Sequence, residues 1–167
     1  MQAVREFLAN VVVVVTATIL FYAAVTDLKE FKIRNNLVVA LACLYGLYAV
    51  LLPEPLATVL WHVGVAIVMF FVAVGFWLLN WLRAGDVKLL AVSFLWVGFS
   101  YALPFTILML IFAAGYTLLA HNFEWVPKLS SKEGSKEKRW IPYAPLVAAS
   151  LIGVFVLKFF VLKSGGI

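Results

Sequence analysis

Residues 89–121 read LLAVSFLWVGFSYALPFTILMLIFAAGYTLLAH, a run without aspartate, glutamate, lysine or arginine. An α-helix needs about 20 apolar residues to cross the hydrocarbon core of a membrane, so this run is too long for one ordinary span. Pro104 has no backbone N–H to donate, and Ser100 and Tyr101 precede it. We therefore predict two short helices joined by a tight turn next to Pro104.

The rest of the chain is similarly apolar. Of its residues 65% are hydrophobic and 13% charged, and the mean hydropathy is +1.06. Further uncharged runs cover residues 7–26, 35–53, 55–82 and 140–157. Backbone polar groups in lipid must be satisfied within each segment, which favours helices. The sequence predicts an all-α, polytopic membrane helical bundle of about six transmembrane helices, forming a single integral membrane domain over residues 1–167.

The distribution of basic residues supports six helices over five. With six, and with the N-terminus and the C-terminus both outside, ten of the thirteen basic residues lie on the cytoplasmic side. If residues 89–121 formed one helix, the split would be seven to six, which is no bias. Cytoplasmic loops normally carry the excess of lysine and arginine. Residues 122–140 then form a polar cytoplasmic loop, and the protein is a multi-pass protein of the cytoplasmic membrane.

The chain contains only two aspartates, Asp27 and Asp86, and each lies where an apolar run meets charged residues. The six-helix topology puts both on the cytoplasmic side, Asp27 after helix 1 and Asp86 before helix 4. A carboxylate next to hydrocarbon is costly unless it is paired, solvated or used, so such groups are functional-site candidates. Two neighbouring carboxylates can share one proton and activate a water molecule, as in aspartic proteases.

Other catalytic chemistries have weaker support. Cys43 is the single cysteine, which excludes an intrachain disulfide framework and a cysteine-rich zinc module. His62 and His121 are far apart and lack the H-E-x-x-H pattern of zinc proteases. We expect no metal, no cofactor and no nucleic-acid partner. Two other classes stay open: a proton-coupled membrane transporter, and a non-enzymatic membrane protein of pilus or secretion assembly.

Three short motifs accompany the aspartates. The first has a basic residue two positions after the aspartate and then an Ile-x-Asn element, formed by Asp27, Lys29, Ile33 and Asn35. The second reads Gly-Asp-x-Lys-Leu, formed by Gly85, Asp86, Lys88 and Leu89. The third is the stretch IPYAP at residues 141–145, which opens the last apolar run.

In this order and topology the motifs resemble those of the prepilin peptidase family, the GxGD-type aspartic proteases that process type IV pilin precursors. The resemblance covers almost the whole chain and is greatest to the short forms of tight-adherence (Flp) pilus systems. It implies that Asp27 and Asp86 are catalytic. It also implies supporting roles for Gly85, Lys88, Lys29 and Asn35, although Lys29 and Lys88 are equally explained as positive-inside anchors.

The resemblance further implies a substrate. This is a prepilin-like protein with a hydrophobic N-terminal helix, from which a basic leader is cut at the cytoplasmic membrane face, with membrane lipid around both partners. Longer family members carry Cys-x-x-Cys motifs and many methylate the new N-terminus. A chain with one cysteine lacks those motifs, so we do not expect methylation. The sequence does not indicate an oligomeric state.

The chain departs from the family pattern at three positions. Arg83 replaces the first glycine of the GxGD motif, Arg34 stands where many members have proline, and Ala144 where glycine is common. The first of these could alter the turn that aims Asp86. Because a helix N-terminus favours an anion and a C-terminus disfavours it, we predict Asp86 as the initial base and Asp27 as the initial acid.

Overall fold

A computed structural model describes residues 1–30, 32–52, 54–122, 129–133, 136–140 and 142–164 of the protein. Its helices are α1 (Gln2–Glu30), α2 (Asn35–Leu51), α3 (Leu56–Leu78), α4 (Ala84–Asn122) and α5 (Tyr143–Ser164). Two short strands, β1 (Leu129–Glu133) and β2 (Lys136–Trp140), lie between α4 and α5. The predicted helical class is therefore confirmed.

Several helices suit a membrane. Within the described ranges, Gln2–Glu30, Leu56–Leu78 and Ala84–Leu119 are long and apolar enough to cross one, by length and composition. Asn35–Leu51 and Tyr143–Lys158 are apolar but shorter. These helices fit a membrane protein, whereas the number of crossings and the sides of the two termini stay predictions.

Helix α4 is interrupted at Gly98, whose φ of 63° and ψ of −172° are not helical. The rings of Phe94 and Phe105 meet edge to face, with centroids 5.0 Å apart. In a continuous helix, positions eleven residues apart would be separated by about 16 Å. The chain therefore folds back at Gly98 into two segments, α4a (residues 84–97) and α4b (residues 99–122).

The predicted division of this run is thus observed, but the predicted place at Pro104 was wrong. Glycine adopts a positive φ without steric cost, and a Cβ at Gly98 would overlap the ring of His62. The turn therefore requires glycine. Pro104 lies inside α4b, in its second turn, where its missing N–H costs one helical hydrogen bond.

The core lies where α1, α4 and α5 meet. Helix α4 packs against α3 and α5, and α1 packs against α5 and α2. Fully buried side chains at the centre include Leu20, Leu89, Phe105, Val147 and Leu151. Helix α3 is the most peripheral, with Ala73 as its buried residue. The outward faces carry large apolar side chains, which are favourable against lipid rather than water.

The predicted polar loop at residues 122–140 contains an antiparallel hairpin of β1 and β2. Leu129 pairs with Trp140 and Glu133 with Lys136. The hairpin occupies residues 129–133 and 136–140 of this loop, whose cytoplasmic location stays a prediction. Residues 123–128, 134 and 135 of the loop lie outside the described residues.

Candidate active site

The structure brings the two aspartates together. Asp27 lies in the last turn of α1 and Asp86 in the first turn of α4, and each is 0% exposed. A buried carboxylate is costly without hydrogen-bond partners, so its partners indicate how the protein tolerates it. Among the buried side-chain polar atoms described, none lacks a partner.

The central partner is Arg83, from the turn between α3 and α4. Its Nη2 donates to Oδ1 of Asp27 at 2.8 Å and to Oδ1 of Asp86 at 3.1 Å. Its Nε donates to Oδ2 of Asp86 at 3.0 Å. One guanidinium nitrogen therefore lies between the two carboxylates, and each carboxylate accepts a charge-assisted hydrogen bond from it.

Backbone N–H groups hold the other oxygen of each carboxylate. The N–H of Ala144, at the start of α5, donates to Oδ2 of Asp27 at 3.1 Å. The N–H of Arg83 donates to Oδ2 of Asp86 at 3.2 Å. Asp86 thus caps its own helix in the manner of a capping-box carboxylate. Each Oδ2 thus accepts a backbone N–H, in Asp86 together with Nε of Arg83, and the two Oδ1 atoms share Nη2 of Arg83.

The first and second sequence motifs pack against each other beside the aspartates. A Cβ added to Gly85 would lie 3.2 Å from Cβ of Ile33, so glycine allows a close approach here. The Nζ of Lys88 donates to Oδ1 of Asn35 at 3.0 Å. These contacts tie the segment between α1 and α2 to the start of α4, and they fix the two aspartates relative to each other.

Gly85 permits close packing and does not serve an unusual backbone conformation. Among the described glycines a positive φ occurs at Gly98 and not at Gly85. The group that approaches Gly85 is Ile33 of the chain itself.

Two of the predicted supporting residues do not contact the aspartates. Lys88 is exposed and bonds to Asn35. Lys29 is exposed at the end of α1, and among the described residues no hydrogen bond or ion pair joins it to Asp27 or Asp86. Anchoring explains Lys29 sufficiently, whereas Lys88 also connects two motifs.

Sequence reasoning did not place two tyrosines near the site. Tyr116 of α4b lies close enough to Asp27 for the carboxylate charge to act on it. Tyr143, the first residue of α5, experiences the charges of Asp86 and Arg83 in the same way. Tyr143 belongs to the third motif, which was a usable signal. Tyr116 could be placed only once the turn at Gly98 was known.

Sequence reasoning noticed Arg83 as a departure from the family pattern but did not include it among the site residues. Burial lowers the pKa of its guanidinium, but hydrogen bonds and charge attraction from Asp86 and Asp27 outweigh burial, so the pKa lies above its usual value. Arg83 is therefore a permanent cation at the centre of the site. The carboxylates receive donors from Arg83 and from backbone N–H groups.

The predicted assignment of base and acid considered only the helix that carries each aspartate. Asp27 indeed ends α1, yet it also accepts the N–H of Ala144 at the start of α5. Both carboxylates thus lie at a helix N-terminus, where an anion is favoured. The helix-end difference therefore does not assign the initial base.

Comparison with known proteins places this site in a family. A model described as the type IV leader peptidase family matches residues 14–118, more than half of the chain, including both aspartates and Arg83. Neither a curated protein nor a solved structure matches the chain significantly.

Proposed function

This chain belongs to the type IV leader peptidase family, and we propose that it is a membrane-embedded aspartic endopeptidase. In this proposal it removes the basic leader from type IV, Flp-type prepilins at the cytoplasmic membrane face, with Asp27 and Asp86 as its catalytic pair. The family match makes the protein a peptidase with a protein substrate. The aspartic mechanism and the prepilin substrate are inferred from the geometry of the site.

One observation carries the proposal. Two fully buried carboxylates from distant parts of the chain turn one oxygen each toward a single shared position, now filled by Nη2 of Arg83. Because one nitrogen bonds to both oxygens, a water molecule of similar size would also reach both. An aspartic peptidase needs such a shared position for its hydrolytic water.

The reaction needs one ionised and one protonated carboxylate. The ionised carboxylate takes a proton from water, and the resulting hydroxyl forms a bond to the scissile carbonyl carbon. The protonated carboxyl donates a hydrogen bond to the carbonyl oxygen. The first carboxyl then gives the proton that it took from water to the nitrogen as the C–N bond breaks, which leaves one new carboxyl group and one new amine. The carboxyl that begins as the base therefore ends the cycle as the acid.

An apolar cavity adjoins the site and suits a hydrophobic substrate helix. It has a volume of about 300 Å³ between α3 and the two halves of α4, and Leu82 and Tyr143 line it. Leu82 precedes Arg83 in sequence, and Tyr143 precedes Ala144, the residue that donates to Asp27. A prepilin helix that entered here from lipid would bring the end of its leader to the aspartates.

A transporter is less well supported by the same geometry. A transport pathway places ionisable groups near the middle of the bilayer on broken helices. Here Asp27 lies in the last turn of α1 and Asp86 in the first turn of α4, at helix ends. Arg83 also neutralises part of their charge. Along the described helices there is therefore no continuous series of acidic groups that could form a proton pathway.

Co-expression with a candidate prepilin tests the proposal. The intact chain should convert the prepilin to a shorter form that migrates faster on a denaturing gel, and mass spectrometry should place the cut at the start of the hydrophobic helix. The matched controls are the Asp27→Asn and Asp86→Asn variants at equal membrane levels. Conversion that persists in both variants would assign the cleavage to another enzyme.

A further inference from the structure

The guanidinium of Arg83 occupies a position from which a water molecule could contact both aspartates. Its Nη2 lies 2.8 Å from Oδ1 of Asp27 and 3.1 Å from Oδ1 of Asp86. The donor–acceptor distances of N–H···O and O–H···O hydrogen bonds differ by only a few tenths of an ångström. Nη2 and a water molecule therefore compete for the same place. As long as Arg83 is there, a water molecule cannot occupy the position of Nη2 between the two Oδ1 atoms.

We propose that Arg83 is a built-in competitor of the hydrolytic water, which keeps both aspartates ionised until its side chain withdraws. The inference rests on the proposed function, because it concerns the same pair of carboxylates. It assigns to Arg83 control of the protonation state of the pair.

The backbone allows Arg83 to withdraw without dismantling the site. The N–H of Arg83 holds Oδ2 of Asp86, and the N–H of Ala144 holds Oδ2 of Asp27. Both bonds persist when the guanidinium moves, so the backbone keeps the carboxylates oriented, while the two Oδ1 atoms lose Nη2 and Oδ2 of Asp86 loses Nε. The side chain of Arg83 is 16% exposed, which gives it a route toward water.

Arg83 lies in a turn rather than inside a helix. Residues 79–83 connect α3 to α4 outside regular helix, and Asn80 adopts a φ of 59°. Asparagine tolerates this left-handed conformation better than most residues. Motion of the Arg83 side chain therefore does not require either helix to unwind.

Charge explains the effect on protonation. The described groups that face the pair are Arg83 itself, Tyr116 from α4b and Tyr143 from α5. Of these, only Arg83 is positive near neutral pH. An opposite charge within hydrogen-bond reach favours the ionised form of a carboxyl, and two like charges without a cation cannot both ionise cheaply. Removal of the cation should therefore leave one proton on the pair at neutral pH.

The test compares Arg83→Gln with the wild type and with Arg34→Gln. Glutamine keeps hydrogen-bond donors but removes the charge. Arg34 is the matched control, since it pairs with Glu30 at 3.9 Å and its side chain is 56% exposed. The alkaline limb of the kcat/KM profile for prepilin cleavage should move upward by about 1–3 pH units in Arg83→Gln. It should not move in Arg34→Gln.

Infrared spectroscopy provides a readout that does not depend on cleavage. At pH 7 the intact Arg83→Gln protein should show the C=O stretch of a protonated carboxyl that the wild type lacks. The band should vanish when Asp27→Asn and Asp86→Asn are added. If the single aspartate variants still cleave prepilin, the proposed function is wrong, yet this comparison still decides the role of Arg83.

Three results would overturn the inference. The first is an alkaline limb that stays in place in membrane-inserted Arg83→Gln. The second is a protonated-carboxyl band of equal strength in the variant and the wild type. The third is loss of cleavage by Arg83→Gln at every pH, because the guanidinium would then be required for the reaction instead of competing with its water.

Discussion

The backbone N–H of Ala144 donates a hydrogen bond to Oδ2 of Asp27, so the start of α5 lies directly against the end of α1. The first N–H groups of a helix have no acceptor within that helix. Pro145, the next residue, has no N–H to satisfy, and proline is well tolerated in a first helical turn. The third sequence motif thereby has a physical role: it begins a helix whose free N–H group fixes a buried carboxylate.

The aspartates should act as one unit. Asp27→Asn and Asp86→Asn should each abolish prepilin cleavage while membrane insertion is preserved, because an amide cannot hold or exchange the proton. The double variant should be about as inactive as either single one, since groups that act together are strongly non-additive. The measurement is the processed fraction of prepilin at equal enzyme levels. Substantial activity in either single variant would contradict the assignment.

The apolar cavity should bind the substrate helix. Ala113 lines it, whereas Ala114, the next residue of α4b, is exposed on another face. Ala113→Phe should fill the cavity and lower kcat/KM by at least about tenfold, equivalent to about 1.4 kcal/mol of transition-state stabilisation. Ala114→Phe, of equal size, should cleave like the wild type. Equal effects of the two substitutions would place the substrate helix elsewhere.

The reversal of chain direction within α4 should require glycine at position 98, whereas another glycine of the same helix should be replaceable. Gly98→Ala should destabilise the protein by at least about 1–2 kcal/mol, because a left-handed backbone is strained for alanine. The new Cβ would also overlap His62. Gly115→Ala is the control, since a Cβ there meets nothing within 4 Å. It should be stabilising by roughly 0.5–1 kcal/mol. Thermal unfolding in detergent measures both, and a neutral Gly98→Ala would refute the hairpin.

The membrane topology remains to be tested by labelling. In a Cys43→Ala background, Ser131→Cys should react with a membrane-impermeant thiol reagent only from the cytoplasm. Glu54→Cys should react only from outside, because the six-helix topology places residues 53–55 there. Reaction of the Ser131 position from outside would instead favour five crossings, with the loop opposite both aspartates.

The sequence by itself determined the class of protein and the identity of the central pair. Apolar runs of membrane-spanning length require helices, since lipid offers no partners for backbone groups. The two aspartates lie at the ends of such runs, where a carboxylate is costly unless it is paired, solvated or used. Three short motifs indicated the family. These conclusions depend on composition and local spacing, which can be read without knowledge of three-dimensional contacts.

Only the tertiary structure decided how the pair is arranged. The turn at Gly98 rather than Pro104 depends on a left-handed backbone and on the neighbouring His62, which is distant in sequence. The place of Arg83 between Asp27 and Asp86 depends on the meeting of α1, α4 and α5. In the sequence, Arg83 was recognised only as a replacement of the first glycine of the GxGD motif. In space it is the cation that permits two buried carboxylates, because the cost of burying a charge is set by its three-dimensional neighbours.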